Sequence, residues 1–228
     1  MEQLVLRQVN VLKVMIKFKK KEDIKFVGHL DILRTMQRII KRAELKVKYS
    51  QGFNQHPIIS VANPLMLGAT SDSEYIDIEF EDDEDITKIV ERMNENTVPG
   101  LEFLAIKEIE KKENSTGFIH YADYVLSVPK EFDFNKEDYL SQEEIVVTKK
   151  TKKGEREFNI KELIYDIKSY SEDDRLVIEA RLRSGTVDNV KPALFMKSIY
   201  SFYGKEFENY RLRIHRKELL DENFNKII

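Results

Sequence analysis

Val11-Leu12-Lys13-Val14-Met15-Ile16-Lys17-Phe18-Lys19-Lys20 and, beyond Gly28, the run His29-Leu30-Asp31-Ile32-Leu33-Arg34-Thr35-Met36-Gln37-Arg38-Ile39-Ile40-Lys41-Arg42-Ala43 decide the fold. In the first, Leu12, Val14, Ile16 and Phe18 alternate with Lys13, Met15, Lys17 and Lys19, the period of a half-buried strand. In the second the period lengthens. Leu33, Met36, Ile40 and Ala43 form an apolar stripe with Leu30 and Ile39 beside it, while Arg34, Arg38, Lys41 and Arg42 gather on another face of a predicted helix. Asp31 in its first turn and Arg42 in its last complement the backbone dipole.

Outward from this pair the patterns continue. Tyr49-Ser50-Gln51-Gly52-Phe53-Asn54-Gln55-His56-Pro57 reads as an ordered loop feeding a strand over residues 58–62. Residues 75–81 alternate again with Ile76, Ile78 and Phe80 inward, residues 85–94 carry a helical stripe of Ile86, Ile89, Val90 and Met93, and residues 101–109 return to strand. The order β-α-β-β-α-β is satisfied most simply by a ferredoxin-like domain, in which each helix buries its stripe on one sheet face. Lys111 to Gly117 is polar and aperiodic, so the linker falls there.

The second half reads as a looser copy: strand 118–128, short helix 136–142, a hairpin of 145–149 and 155–160 around Lys153-Gly154, strands 163–170 and 175–183, helix 192–203 and strand 210–215. Asp188 or Asn189 is placed to cap the last helix, Pro192 suits its first turn and Gly204 its left-handed stop. The expected fold is therefore α+β, two ferredoxin-like domains with antiparallel sheets over residues 1–113 and 117–228, the second more irregular. A length of 228 residues accommodates two such domains.

Composition excludes several classes of function. There is no cysteine, which removes disulfides, thiol nucleophiles, cysteine zinc sites and iron–sulfur ligation. No apolar run reaches the roughly 18 residues that span a bilayer, and the N-terminus lacks a signal-peptide pattern, so the chain reads as cytoplasmic. Walker and G-x-G-x-x-G loops are absent, as is a nucleophile elbow. The five carboxylates Glu81 to Asp85 suit capping and dipole charge better than a paired acid and base.

The overall charge of −3 conceals a polarised first half. Lys17 to Lys48 holds eleven basic and four acidic residues, Asp72 to Glu95 eleven acidic and two basic. A basic lobe of that density suits an anion such as nucleic acid, although charged helix faces are often only solvated. In the second half, strand geometry places Arg181 and Arg183 on one face, and Arg211, Arg213 and His215 on one face, with Leu182, Leu212 and Ile214 toward the core. Two of the four histidines, His29 and His56, fall in the most motif-like segments. Brought to one phosphate they could act as base and acid in metal-independent RNA cleavage with Arg34 or Lys25 stabilising charge; with Asp31 they could contribute to a metal site; alone, His29 caps the helix and His56 fixes the loop.

Lys25-Phe26-Val27-Gly28-His29-Leu30-Asp31, Arg34, Gln37-Arg38, Arg42-Ala43, the Tyr49 to Pro57 loop, Pro64-Leu65 with Leu67-Gly68, and Glu74-Tyr75-Ile76-Asp77 resemble the bacterial radical-SAM-associated domain family of unknown function. In the second half only Lys191-Pro192 and Ile214-His215-Arg216 resemble it closely. Relatives often have proline at the position of Gln55. The resemblance implies a stand-alone relative of domains otherwise fused behind a radical SAM protein, and gene neighbourhoods with a ribonuclease of the E/G type and ribosomal proteins. Lacking cysteine, the chain cannot hold the radical SAM cluster, so that chemistry belongs to a partner in trans.

The expectation is a noncatalytic accessory or substrate-recognition module without a cofactor, acting beside a radical SAM protein on RNA or a ribosome-linked substrate. Lys25, Arg34, Arg38, Lys41 and Arg42, with Arg181, Arg183, Arg211 and Arg213, would meet the phosphate backbone; Tyr49, Gln51, Phe53, Asn54 and His56 would supply stacking and hydrogen bonds. The alternatives are an endoribonuclease using His29 and His56, and a protein–protein adaptor docking through Asp72 to Glu95.

Overall fold

The basic helix and the strand before it form where the period predicts, but the strand is buried on both faces, at Met15 and Lys17 as well as Val14, Ile16 and Phe18. In the computed structural model, which describes residues 11–81, 84–151 and 154–228, β1 is Val11–Lys20 and α1 is His29–Arg42. α1 buries Ile32, Met36, Ile39 and Ile40, so its buried stripe is centred nearer Ile32 than Leu33, and Leu30 stands exposed. Gly28 occupies the N-cap without a side-chain bond, and the helix ends at Ala43, whose successor Glu44 takes a positive φ of 50°.

The remaining elements of the first half are β2 (Ile59–Ala62), β3 (Thr70–Glu81), α2 (Ile86–Glu95) and β4 (Leu101–Glu108). Asp85 caps α2, accepting a hydrogen bond from the Thr87 amide at 3.1 Å. The strands are hydrogen-bonded in the order β4-β1-β3-β2, with β1–β4 and β2–β3 antiparallel. Val14, Ile16, Phe18, Ile76, Ile78, Phe80 and Phe103 close a core with the stripes of α1 and α2. Truncating a ring such as Phe80 to alanine there costs about 3–5 kcal/mol.

The chain packs as two units. The first holds residues up to Leu67, Glu74–Ser115 and Ile228; the second holds Gly68–Ser73 and Thr116–Ile227. The second contains a four-residue turn of helix, α3 (Ser115–Phe118, beginning at the boundary), then β5 (Tyr121–Pro129), α4 (Lys136–Leu140), β6 (Val146–Thr151), β7 (Gly154–Asn159), β8 (Ile164–Glu172), β9 (Arg175–Arg183), α5 (Pro192–Phe202) and β10 (Arg213–Leu220). Its strands run β10-β5-β9-β8, with Thr70 and Ser71 of β3 adding a short parallel pairing to β10, and β6–β7 standing as a separate hairpin. Lys153, the residue around which that hairpin was placed, lies outside the described residues.

The sheet strands β10, β5, β9 and β8 of the second unit pair antiparallel throughout, as expected. β5 and β9 are antiparallel, as are β8 and β9, so β8 runs in the direction of β5 with β9 between them. The β6–β7 hairpin is an addition between α4 and β8, outside this sheet.

Two local expectations also change. Lys191 is the N-cap of α5, with no side-chain bond, in place of Asp188 or Asn189; Pro192 is in the first turn and Gly204 takes a φ of 65° as predicted. The last strand begins only at Arg213. Arg211 ends a 3-10 turn over Asn209–Arg211, Leu212 and Ile214 are half-buried, and Arg216, Leu219 and Leu220 are the buried positions. A register shift between Arg216 and Glu218 interrupts the alternation from which Leu212 and Ile214 had been assigned inward.

Candidate nucleic-acid interface

On α1 the basic residues divide by partner. Arg34 donates to Asp31 at 2.8 Å, Lys25 pairs with Glu22 at 2.6 Å and sits 5.2 Å from the Phe26 ring centroid, and Arg42 donates to the Asn96 carbonyl at 2.6 Å. Arg38 and Lys41 are exposed and make no ion pair among the described residues. Three positions apart, they lie side by side on the helix surface. Among the described residues nothing competes with a phosphate for these two cations.

The following loop is clamped at its base and open at its tip. Ser50 N donates to His56 O at 2.9 Å, Ile58 N to Lys48 O at 2.8 Å, and Tyr49 bridges to Pro57. Between these ties Gly52 adopts a φ of 116°, a region in which a side chain is strained. The turn leaves Gln51, Asn54 and His56 exposed, Tyr49 51% exposed, and the Phe53 ring entirely in solvent. An aromatic ring with no packing partner at a loop tip is a stacking surface.

His29 and His56 stand in different surroundings. His29 lines a pocket of about 20 Å³ with Phe18, Lys20, Ile32 and Glu74, a space for about one water, and His56 is not part of its wall. His56 Nδ1 lies 3.2 Å from the Pro57 carbonyl and its amide 3.2 Å from Ser50 Oγ, which ties it to its own loop. His29 is the first residue of α1 and not its cap. Among the described residues, no three His, Asp or Glu side chains come together as metal ligands, so His29, Asp31 and His56 form no such set.

In the second unit the predicted arginines are mostly engaged. Arg181 grips Asp123 through Nε–Oδ1 at 2.7 Å and Nη2–Oδ2 at 2.9 Å, a bond that raises its pKa against the opposing effect of burial, and it sits 5.1 Å from the Phe224 ring. Arg183 covers the Tyr121 ring at 4.9 Å, and Arg211 bonds Glu131 at 2.6 Å and Glu208 at 3.1 Å. Arg213 is exposed, with no ion pair among the described residues. His215 bonds Thr70 at 2.9 Å and Asp72 at 3.2 Å, so it fastens the start of β3 to β10.

The acidic stretch of the first half is divided: Asp72, Glu81, Asp85, Glu91 and Glu95 are exposed, and others are engaged. Glu74 and Asp77 are buried, Asp77 accepting from the Ser115 amide at 3.0 Å and from its hydroxyl; Glu84 bonds Arg92 and the Lys46 amide; Asp85 is the α2 cap. Asp82 and Asp83 lie outside the described residues.

Sequence reasoning missed the buried charges. Lys20, 4% exposed, donates to the carbonyls of Lys25 at 3.0 Å and Val27 at 3.1 Å and so fixes the turn that enters α1. Burial lowers its pKa, and the nearby Glu74 charge opposes that. Lys17 donates to the Ile228 carbonyl at 3.1 Å and lies 5.8 Å from the Tyr75 ring. The available signal was the lysine pair ending a strand otherwise destined for the core, together with the Glu74-Tyr75-Ile76-Asp77 motif, in which every residue is buried.

The comparisons with known proteins rest on this geometry. A family described as an uncharacterized protein conserved in bacteria, DUF2344, matches residues 13–192. The chain belongs to this family. The matched span of DUF2344 takes in all of α1, the Tyr49 to Pro57 loop and the Glu74 to Asp77 motif. No curated protein matches the chain. An unknown protein from Galdieria sulphuraria, whose crystal structure is solved, is similar over 93% of this chain and 99% of its own at 10% identity, with a TM-score of 0.27, too low to support an argument. No helix among the described residues of this DUF2344 member is long and apolar enough to cross a membrane.

Proposed function

We propose that the chain is a noncatalytic RNA-recognition module that works beside a separate radical SAM protein in the cytoplasm, on RNA or a ribosome-linked substrate. The observation that carries the RNA half is the coexistence of two exposed cations that make no ion pair among the described residues, Arg38 and Lys41, with the solvent-exposed Phe53 ring on the loop that follows their helix. Cations offer phosphate contacts independent of sequence, and an exposed ring offers base stacking, the two elements of single-strand binding. Tyr49, Gln51 and Asn54 supply further stacking and hydrogen bonds. We read the first unit as ferredoxin-like on its strand order β4-β1-β3-β2. The partner half rests on the resemblance of its motifs.

Fluorescence anisotropy with a labelled single-stranded RNA across a salt series tests the first half. Affinity is expected to fall steeply with salt, because cation–phosphate contacts release counterions; binding indifferent to salt rejects the reading. Affinity purification of the native complex tests the second, and a complex without a radical SAM protein rejects it.

A further inference from the structure

In the β6–β7 hairpin Lys149 stands directly opposite Arg156. Like charges at directly opposed positions destabilise a strand pair, and neither side chain makes an ion pair among the described residues. Alternation puts both on the face that carries buried Val147 and half-buried Phe158, while Thr148 and Glu157 point to the other face. That face opens on a cleft of about 320 Å³ walled by Lys149, Arg156, Phe158, Val187, Asp188 and Asn189. Val187 is 88% exposed there. The volume is within the range of small-molecule sites.

We propose that this cleft binds a nucleoside phosphate. Its phosphate neutralises the facing Lys149 and Arg156, the arginine contributing the planar donor fork suited to phosphate oxygens. The base lies against Phe158 and Val187. The Asp188 carboxylate accepts from ribose hydroxyls, and the Asn189 amide donates to or accepts from the base edge. The site belongs to the second unit and is independent of the α1 surface assigned to RNA above. The nucleoside phosphate has two sources, a free nucleotide or one residue of an RNA strand.

Thermal melting of the full chain, with and without ligand, tests the proposal. The probes are a nucleoside monophosphate mixture, a single-stranded ribo-oligonucleotide and inorganic phosphate, applied to the native chain, to Lys149→Gln/Arg156→Gln and to Val187→Ser. The native Tm is expected to rise with nucleotide. The double variant should melt at or above the native Tm without ligand, because the cross-strand repulsion is gone, yet bind at least tenfold more weakly. Val187→Ser, which keeps both cations, should reduce the nucleotide shift while leaving any phosphate shift unchanged. A shift with monophosphates identifies a free nucleotide; a shift only with the oligonucleotide, lost in the double variant, identifies a nucleotide within RNA. No shift with either, the same shift in the double variant, or an equal shift with inorganic phosphate overturns the assignment. An oligonucleotide shift that survives Lys149→Gln/Arg156→Gln but disappears in Arg38→Ala/Lys41→Ala overturns it while leaving the α1 surface standing.

Discussion

Arg181 on β9 and Asp123 opposite it on β5 share two hydrogen bonds of 2.7 and 2.9 Å. This fork-to-carboxylate geometry commits the arginine to its own sheet. Arg181→Ala is therefore expected to lower stability by about 2 kcal/mol, since it strands a half-buried carboxylate, and to leave RNA affinity unchanged. Chemical denaturation and anisotropy on the same variant check both statements; a loss of affinity at unchanged stability contradicts them.

Arg38 and Lys41 should behave in the opposite way. Arg38→Ala/Lys41→Ala removes two exposed cations that make no ion pair among the described residues, so its Tm should stay within a degree or two of the native value. The slope of log affinity against log salt should become shallower by about 1.4, at roughly 0.7 for each lost phosphate contact to a single strand. An unchanged slope shows that this helix face only solvates the chain.

Phe53→Ala isolates stacking from charge. Because the ring is entirely exposed and packs on nothing, stability should not change, while RNA affinity should fall by about 1–3 kcal/mol, the range for loss of one base–aromatic stack. The salt slope should keep its native value. Phe53→Tyr should restore binding, which separates a stacking role from a change in loop shape.

Tyr139 gives the alkaline limit of stability. Its hydroxyl is buried 2.7 Å from Ser198 Oγ, and burial pushes its pKa up to about 12 against a moderating hydrogen bond with Ser198. The folded chain then holds a proton that the unfolded chain releases from its ordinary value of 10.0 upward. Stability is thus fully present below pH 10 and falls between there and pH 12, by roughly 3 kcal/mol for a shift of two units. Tyr139→Phe should flatten this dependence. At pH 7 it should cost only about 1 kcal/mol, because Ser198 still bonds the Phe195 carbonyl at 2.7 Å. Urea denaturation at pH 7, 10 and 11.5 reads both effects.

The sequence by itself determined where backbone changes state. β1, α1, β9 and the cap of α2 follow from neighbours two, three or four positions apart, and those spacings are set by the chain's own geometry. It also marked Phe53 and its loop, since Gly52, Asn54 and Pro57 announce a turn whatever surrounds it. Tertiary structure alone decided which charges remain available. Arg181 and Arg38 look equivalent in the sequence, and only the partner 58 residues away, Asp123, separates them. The burial of Lys20 and Glu74 and the pairing of β5 with both β9 and β10 have the same origin. Each depends on segments distant in sequence meeting in space, where a charge's solvation and a strand's direction are set by what arrives beside it.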